Sequence, residues 1–460
     1  MNIKLYNSLS KQKEDFKPIK KKEVSLYTCG PTVYKHPHIG NLMPYIIWDV
    51  LKRILKVDGY KVKHVMNITD VGHLTSDADE GEDKLAKASR ESDQNAWQIA
   101  EFFIKVFRNN LYSLNIDEPN KLLRATETIK EQIAFAQILD TKGYLYKISD
   151  GMYFDTSKIK DYGRLANLAN VDIQEGARVE KIKGKKHPSD FAVWKFTPED
   201  LTRDMDWESP WGLGFPGWHL ECSVMSRMEL GDTFDIHTGG MDHLTVHHPN
   251  EMAQSEAVTG KLQANYWLHN AFIKYDGGKM SKSKGTIITL ENIRDKGFSS
   301  MAFRFLVLQN HYRKPLNFTI ESLQSAQNGL VAIVRAIAFY GKAKGGCKEF
   351  ETEFYEAIND DLNTSKGLAV LQKVIDTDCK DNDKLATIFK MDEVLGLCLE
   401  GLIHKALDIS DEAQIILEER AKARDRQDWA AADKLRDKLT VLGVEVQDMP
   451  SGQRAVQVKL

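Results

Sequence analysis

The sequence predicts an α/β fold: a doubly wound parallel sheet of Rossmann-like pattern, split by a connecting insertion and followed by a C-terminal helical bundle and a small α+β tail. Three observations predict it. Strand and helix periodicities alternate through residues 24–69. They resume, after a polar and irregular stretch, between Trp218 and Ile273. Beyond Leu323 only helical spacing remains until the last residues.

Val24-Ser25-Leu26-Tyr27-Thr28 is apolar and aromatic enough for a buried strand, and Cys29-Gly30-Pro31-Thr32 ends it because Gly and Pro break a ladder. Leu42, Ile46, Leu51, Ile54 and Leu55 then recur near helical spacing up to the breaker Asp58-Gly59. Pro44 is expected in the first turn, where a missing N–H costs little. Lys61 to Thr69 alternates as a strand. Together these form a βαβ unit, whose loop and helix N-terminus can cradle a phosphate. Ala96 to Leu114 is helical by periodicity, and residues 1–118 make the first half of the sheet domain.

Residues 119–214 read as the insertion: an apolar helix around Ile129 to Leu139, a turn at Gly143, strand-like Met152-Tyr153-Phe154 and a basic loop. Residues 215–322 resume the sheet with Phe234-Asp235-Ile236-His237, a helix carrying His247 and Glu251, and an apolar run from Leu268 to Ile273. Residues 323–402 read as a helical bundle on the spacing of Leu330, Ile333, Val334 and Ile337, then of Leu368, Leu371 and Val374. In the tail, 403–460, a charged helix precedes Val444-Glu445-Val446-Gln447, a turn at Pro450-Ser451-Gly452 and Ala455-Val456, the pattern of a β-hairpin. Trp429 on that helix is expected in the core, with stacking on a base as the alternative.

A hydrophobic fraction of 42% in 460 residues supports a sizeable core, and a net charge of −3 supplies no global field for nucleic acid. A nucleic-acid partner must therefore meet local patches. Lys181, Lys183, Lys185 and Lys186, within Arg178 to Lys186, form one candidate; Arg420, Lys422, Arg424 and Arg426 form another. Either can equally be a solvated basic face. Five cysteines in so long a chain do not make a disulfide framework, and Cys347, Cys379 and Cys398 are expected to be reduced thiols. No N-terminal run resembles a signal peptide and no stretch suits a bilayer, so a cytoplasmic setting without membrane contact is expected.

Two strings carry nucleotide chemistry. In His36-Pro37-His38-Ile39-Gly40-Asn41, Gly40 lets a ribose or base approach the backbone, and His38 can donate to a phosphoryl oxygen as charge develops on it. In Lys279-Met280-Ser281-Lys282-Ser283, flanked by Gly277-Gly278 and Gly285, lysines on a loop can reach a departing pyrophosphate. Alone, each string is also compatible with a solvent-exposed loop. A further set is metallic in type. Cys29, Cys222, His247 and Glu251 offer two thiolates, an imidazole and a carboxylate, which suits zinc in ligand type and number. His247 and Glu251 at i, i+4 share a helix face, and His248 at i, i+3 works as well. No local Cys-x-x-Cys supports the set, and any single cysteine here can be a buried, inert thiol.

In this order the two strings resemble the HIGH and KMSKS signatures of class I aminoacyl-tRNA synthetases. Cys-Gly-x-Thr-Val-Tyr from Cys29, Gly-Trp-His-x-Glu-Cys ending at Cys222 and His-His-x-Asn-Glu ending at Glu251 resemble the cysteinyl-tRNA synthetase family. The similarity runs over nearly the whole chain, including Asp360-Asp361-Leu362-Asn363-Thr364 and the charged C-terminal runs. The resemblance implies zinc, one per subunit, on Cys29, Cys222, His247 and Glu251. It implies an amino-acid site with Gly30, Thr69, Trp218 and Asp242, with Asp242 suited to the ammonium group. It implies ATP at His38, Gly40, Asn41 and Lys282, with magnesium on the phosphates and Lys279 assisting the loop. The partners implied are tRNA(Cys), ATP and L-cysteine, the tRNA meeting the bundle and tail, and the chain is expected to be a monomer. Soft thiolate binding separates cysteine from serine and alanine better than a size-reading pocket does, so no editing domain is expected.

Three local features depart from the usual pattern. Asn41 stands where a His is usual. Met43 and Pro44 stand where the family has an Arg and then a Ser or Thr. The segment after Asp70 runs through His73 into the acidic residues 77–83 rather than a compact Asp-Asp-Lys run. Rival readings are a cysteine ligase acting on an amino-sugar and a silent RNA-binding paralogue.

Overall fold

The computed structural model describes residues 2–72, 84–90, 94–166, 183–198, 203–275, 278–279, 287–449 and 452–457. Outside them lie His73 and the acidic residues 77–83, Arg178 and Lys181 of the basic loop, Lys282 with Met280, Ser281 and Ser283, and Pro450-Ser451.

Five parallel strands form the central sheet in the order Ala264–Asn270, Phe234–Gly240, Glu23–Thr28, Lys61–Ile68, Lys121–Arg124. From Glu23–Thr28 the chain winds outward to Lys121–Arg124, and later fills the other side. The order therefore reverses between Glu23–Thr28 and Phe234–Gly240, the crevice where doubly wound sheets bind ligands. Their register sets His237 opposite Tyr27 and Thr238 opposite Thr28, and the two threonine hydroxyls share a hydrogen bond of 2.8 Å. The sheet reaches past residue 118, because Lys121–Arg124 belongs to it; with four residues and two apolar side chains, it is too short for periodicity to reveal.

The pocket helix, Ile39–Val57, buries Leu42, Ile46, Leu51, Ile54 and Leu55, the stripe expected from the sequence. It begins before Gly40, with His38 as its N-cap. Pro44 consequently lies beyond the first turn, and its missing N–H removes the donor that the Gly40 carbonyl would meet within the helix. On the far side, the fully buried Arg304 bonds Asp49 of this helix at 2.6 Å and the Leu395 carbonyl at 2.8 Å. That guanidinium ties the pocket helix to helix Asp381–Leu395 of the bundle.

The insertion holds a four-stranded antiparallel sheet, Leu145–Ile148, Gly151–Phe154, Phe191–Phe196 and Gly214–Pro216. Its last strand leads straight into helix Trp218–Leu230, so the insertion aims Trp218. Helices Ile320–Ile337, Lys348–Asn359, Thr364–Asp376, Asp381–Leu395 and Leu399–Leu407 form the bundle, whose apolar side chains merge with those under the pocket helix.

In the tail, helices Asp411–Asp425 and Trp429–Val441 pack on the expected hairpin, Val444–Met449 with Gly452–Gln457. Two expectations fail there. Trp429 is 56% exposed, because it opens its helix and overhangs the packed face. Arg420 is no open basic surface: it is buried and holds Asp448 at 2.8 and 3.1 Å, with Arg424 and Arg436 on the same carboxylate. Cys347 is buried, Cys379 half-buried and Cys398 exposed, and all are free thiols. Among the described residues, no helix is long and apolar enough to cross a membrane.

Candidate active site and metal centre

A cavity of about 800 Å³ opens at the sheet's switch point, walled by Cys29, His38, Asn41, Trp218, Gly240 and Asp242 among others. Gly30 also lines it, and space there admits only a glycine. A Cβ there would stand 1.7 Å from the Asn67 carbonyl oxygen, and its N–H already donates to Asn67 Oδ1 at 2.7 Å. Gly40 is likewise dictated by space: a Cβ would meet Ile273 Cγ2 at 2.8 Å and the His38 ring at 3.0 Å.

His38 and Asn41 form a reciprocal cap. His38 Nδ1 accepts from the Asn41 N–H at 3.3 Å, and Asn41 Oδ1 accepts from the His38 N–H at 3.2 Å. Burial, assisted by Lys35, lowers His38 to about 4, so the ring is neutral at physiological pH. With Nδ1 accepting, the single ring proton sits on Nε2, leaving that nitrogen as a donor. Described residues on either side of 280–286 are paired. Lys279 pairs with Lys274 across the strand ladder, and the Ile288 carbonyl accepts from the Ile39 N–H at 2.8 Å.

Beneath the cavity floor the fold collects the thiol set. Cys29 directly follows strand Glu23–Thr28, Cys222 lies one turn into helix Trp218–Leu230, and His247 and Glu251 share a face of helix His247–Thr259. Cys29, Cys222, His247 and Glu251 are all buried and offer ligand atoms within 4.8 Å of one another. A second set, Cys29, His237, His248 and Glu251, meets the same limit, so the alternative register through His248 is also realised. Glu251 Oε1 lies 3.0 Å from His247 Nε2, and Glu251 Oε2 lies 2.9 Å from His237 Nε2. Cys29 Sγ stands 3.4 Å from His248 Nε2.

The electrostatics suit a cation. Burial alone would raise the Glu251 carboxyl, but His237 and His247 outweigh it and hold it well below the usual carboxylate range. Burial would lower His247, yet Glu251 and Cys222 push it up to about 10. Burial raises the Cys29 thiol, with Cys222 and Glu251 adding to it. Cys222 moves down despite burial, because Cys29 and His247 donate to it. Two sulfurs, an imidazole and a carboxylate in one buried cluster could hold a metal ion, and His247 is already oriented, its Nδ1 bonded to His219 Nδ1 at 2.9 Å.

The other expected residues divide. Trp218 lines the cavity with its ring centroid 4.3 Å from that of His247, covering the cluster. Asp242 lines the mouth and is exposed. Thr69 is buried, and its hydroxyl donates to Glu221 Oε2 at 2.7 Å, next to Cys222. Lys282 lies outside the described residues, and only the backbone of Lys279 is described. Sequence reasoning named His248 but missed the rest of the histidine shell. His219, His237, His243 and His269 converge with it on the cluster, and His248 Nδ1 bonds His269 Nε2 at 2.8 Å. The only signal was the crowding of histidines between His219 and His269, without local spacing to join them.

The sheet, its switch-point cavity and the capped helix at that cavity define a class I tRNA synthetase. The family model "tRNA synthetases class I (C) catalytic domain" matches residues 15–328, and "Cysteinyl-tRNA ligase anticodon binding domain" matches residues 407–454. Cysteine–tRNA ligase 1 of Burkholderia lata is 46% identical over 99% of this chain and 97% of its own. The cysteine–tRNA ligase of Treponema denticola is 41% identical over 97% and 98%. In fold, a LeuRS–tRNA–LeuAMS complex from Agrobacterium radiobacter K84 aligns with a TM-score of 0.60 at 11% identity, covering 84% of this chain and 85% of that one. The chain belongs to the cysteine–tRNA ligase family.

Proposed function

We propose that the protein activates L-cysteine with ATP to cysteinyl-adenylate and transfers the cysteinyl group to tRNA(Cys). The observation that carries this reading is the two-cysteine cluster under the same cavity that His38 lines. The cysteine carboxylate attacks the α-phosphorus of ATP, the bond to the bridging oxygen breaks, and magnesium pyrophosphate leaves. The substrate supplies the nucleophile, so the protein supplies placement and charge. His38, neutral, donates from Nε2 to a phosphoryl oxygen as negative charge grows there. Asn41 fixes that ring, and Gly40 lets the nucleotide lie against the helix end. Lys282, assisted by Lys279, neutralises the departing pyrophosphate. Asp242 receives the ammonium group, and Trp218 closes over the side chain.

Cys29, Cys222, His247 and Glu251 would hold zinc. When bound, zinc supplies a soft Lewis acid that takes a thiolate far better than an alcohol or a methyl group. Glu221 positions Thr69, and His219 positions His247. The match of residues 407–454 to an anticodon-binding domain supports tRNA as acceptor over an amino-sugar, which offers nothing for that domain to read.

Cysteine-dependent ATP–pyrophosphate exchange, followed by transfer of labelled cysteine to tRNA, tests the reading. Both steps are expected. Exchange without charging supports the amino-sugar ligase, and no exchange supports the silent paralogue. Lys282→Ala is expected to depress exchange about 100- to 1,000-fold while cysteine affinity is kept, on the scale of a lost transition-state contact (about 2.7–4 kcal/mol); equal exchange in mutant and parent contradicts the role of Lys282.

A further inference from the structure

We propose that His36 and Phe102 form a stacking ledge at the cavity mouth that receives the unpaired 3′ nucleotides of the tRNA acceptor strand; the proposal rests on the ligase reading above. His36 is exposed and lines the cavity, two residues before His38. Its ring meets Phe103 edge-on with centroids 5.3 Å apart and Phe102 at 6.1 Å, and the two phenylalanines meet edge-on at 5.1 Å. Phe103 is half-buried against the core, whereas Phe102 is 48% exposed. The three rings make a step that begins at the cavity wall and ends in solvent.

The step is rigid. Helix Ala96–Ser113 carries both phenylalanines and is closed by a reciprocal cap between Asn95 and Gln98. Its Phe107 is fully buried against Tyr45 of the pocket helix, with centroids 5.1 Å apart. Cations flank it: Lys35 at the cavity wall, over the Tyr34 ring, and the exposed Lys105 one turn along from Phe102. The acid beside Phe102, Glu101, is held by Arg124 at 2.9 Å.

The occupant follows from the reaction. The terminal ribose must reach the adenylate inside the cavity, so the last nucleotides of the acceptor strand, which have no pairing strand, cross this mouth. Their bases lose neighbours there, and an exposed aromatic ring replaces the lost stacking without reading sequence. Their phosphates meet Lys35 and Lys105.

Three substitutions at Phe102, which is exposed and outside the adenylation machinery, test the ledge. In Phe102→Ala and Phe102→Leu, cysteine-dependent pyrophosphate exchange is expected to stay within about twofold of the parent, while kcat/KM for tRNA charging falls roughly 5- to 100-fold, the range one stacked base supplies. Phe102→Trp is expected to keep charging. A tRNA trimmed of its single-stranded 3′ nucleotides, used as a competitor, is expected to bind parent and Phe102→Ala alike. Unchanged charging in Phe102→Ala, charging lost in Phe102→Trp as well, or equal weakening of the trimmed tRNA overturns the ledge. Absence of exchange in the parent overturns the ligase reading itself, and the ledge with it.

Discussion

At the scale of single residues, the site is shaped as much by side chains that touch no substrate as by those that do. His219 is such a residue. It bonds His247 Nδ1 at 2.9 Å and so turns His247 Nε2 toward Glu251 and the sulfurs. Removing an orienting partner of this kind typically costs 10–100-fold in metal affinity. His219→Ala is accordingly expected to surrender zinc to a chelator at ~10–100-fold lower chelator concentration than the parent; identical competition curves contradict the orienting role. In the set Cys29, Cys222, His247 and Glu251, ligand type and the i, i+4 pair His247–Glu251 were legible from the residues, but only the resemblance joined the two cysteines to them, since no local spacing does. What gathers them is register: with Ile236 beside Leu26 and His237 beside Tyr27, Cys29 and the segment after Gly240 emerge side by side. His237 and His269 escaped notice because each sits in an element whose own pattern explains it without the site.

Among elements, the pocket helix does the most. Its apolar stripe was plain from Leu42 to Leu55, but its start was not, because His38 is an uncommon N-cap and Gly40 and Pro44 both suggest a later beginning. The cap matters chemically, since the Asn41 N–H is what confines the His38 proton to Nε2. Asn41→Ala removes the return half of this cap and frees the loop carrying His38. The expected result is a stability loss of about 0.5–2 kcal/mol and a several-fold lower kcat for pyrophosphate exchange with the KM for cysteine unchanged. A normal kcat, read by exchange at saturating substrates, contradicts a role for the cap in catalysis. Strand Lys121–Arg124 was not legible either: its place in the sheet comes from pairing with Val65 to Ile68, not from its own composition. In the tail, Trp429 was expected inside on helical spacing; the position that decides its exposure is the helix end, which periodicity does not mark.

For the whole molecule, buried neutral histidines set an acid limit. Burial, with Lys52 and Lys56, lowers His64 from 6.5 to about 3, and burial with Lys35 lowers His38 from 6.5 to about 4. In the unfolded chain both take a proton as pH falls below 6.5; in the folded chain neither does until about 3 to 4. The unfolded state therefore binds more protons in that window, and stability, complete above pH 6.5, falls as pH drops toward 4. Each such histidine adds up to about 1.4 kcal/mol per pH unit to the slope. Urea midpoints are expected to decline over this range, and to decline less steeply in His64→Gln; an unaltered slope contradicts the assignment. Overall architecture was the most legible level, since alternating strands and helices followed by helices alone allow few layer arrangements. The tie between halves was not: Arg304 reaches Asp49 and Leu395 from distant parts of the sequence.

The central claim is that a thiol-selecting metal and a phosphate-handling helix share one cavity. X-ray absorption at the zinc edge of the purified protein tests it most directly. The account predicts two sulfur neighbours at about 2.3 Å without substrate, a third on adding L-cysteine, and no change on adding L-serine. A protein that binds no zinc, or a sulfur shell that L-cysteine leaves unchanged, contradicts it.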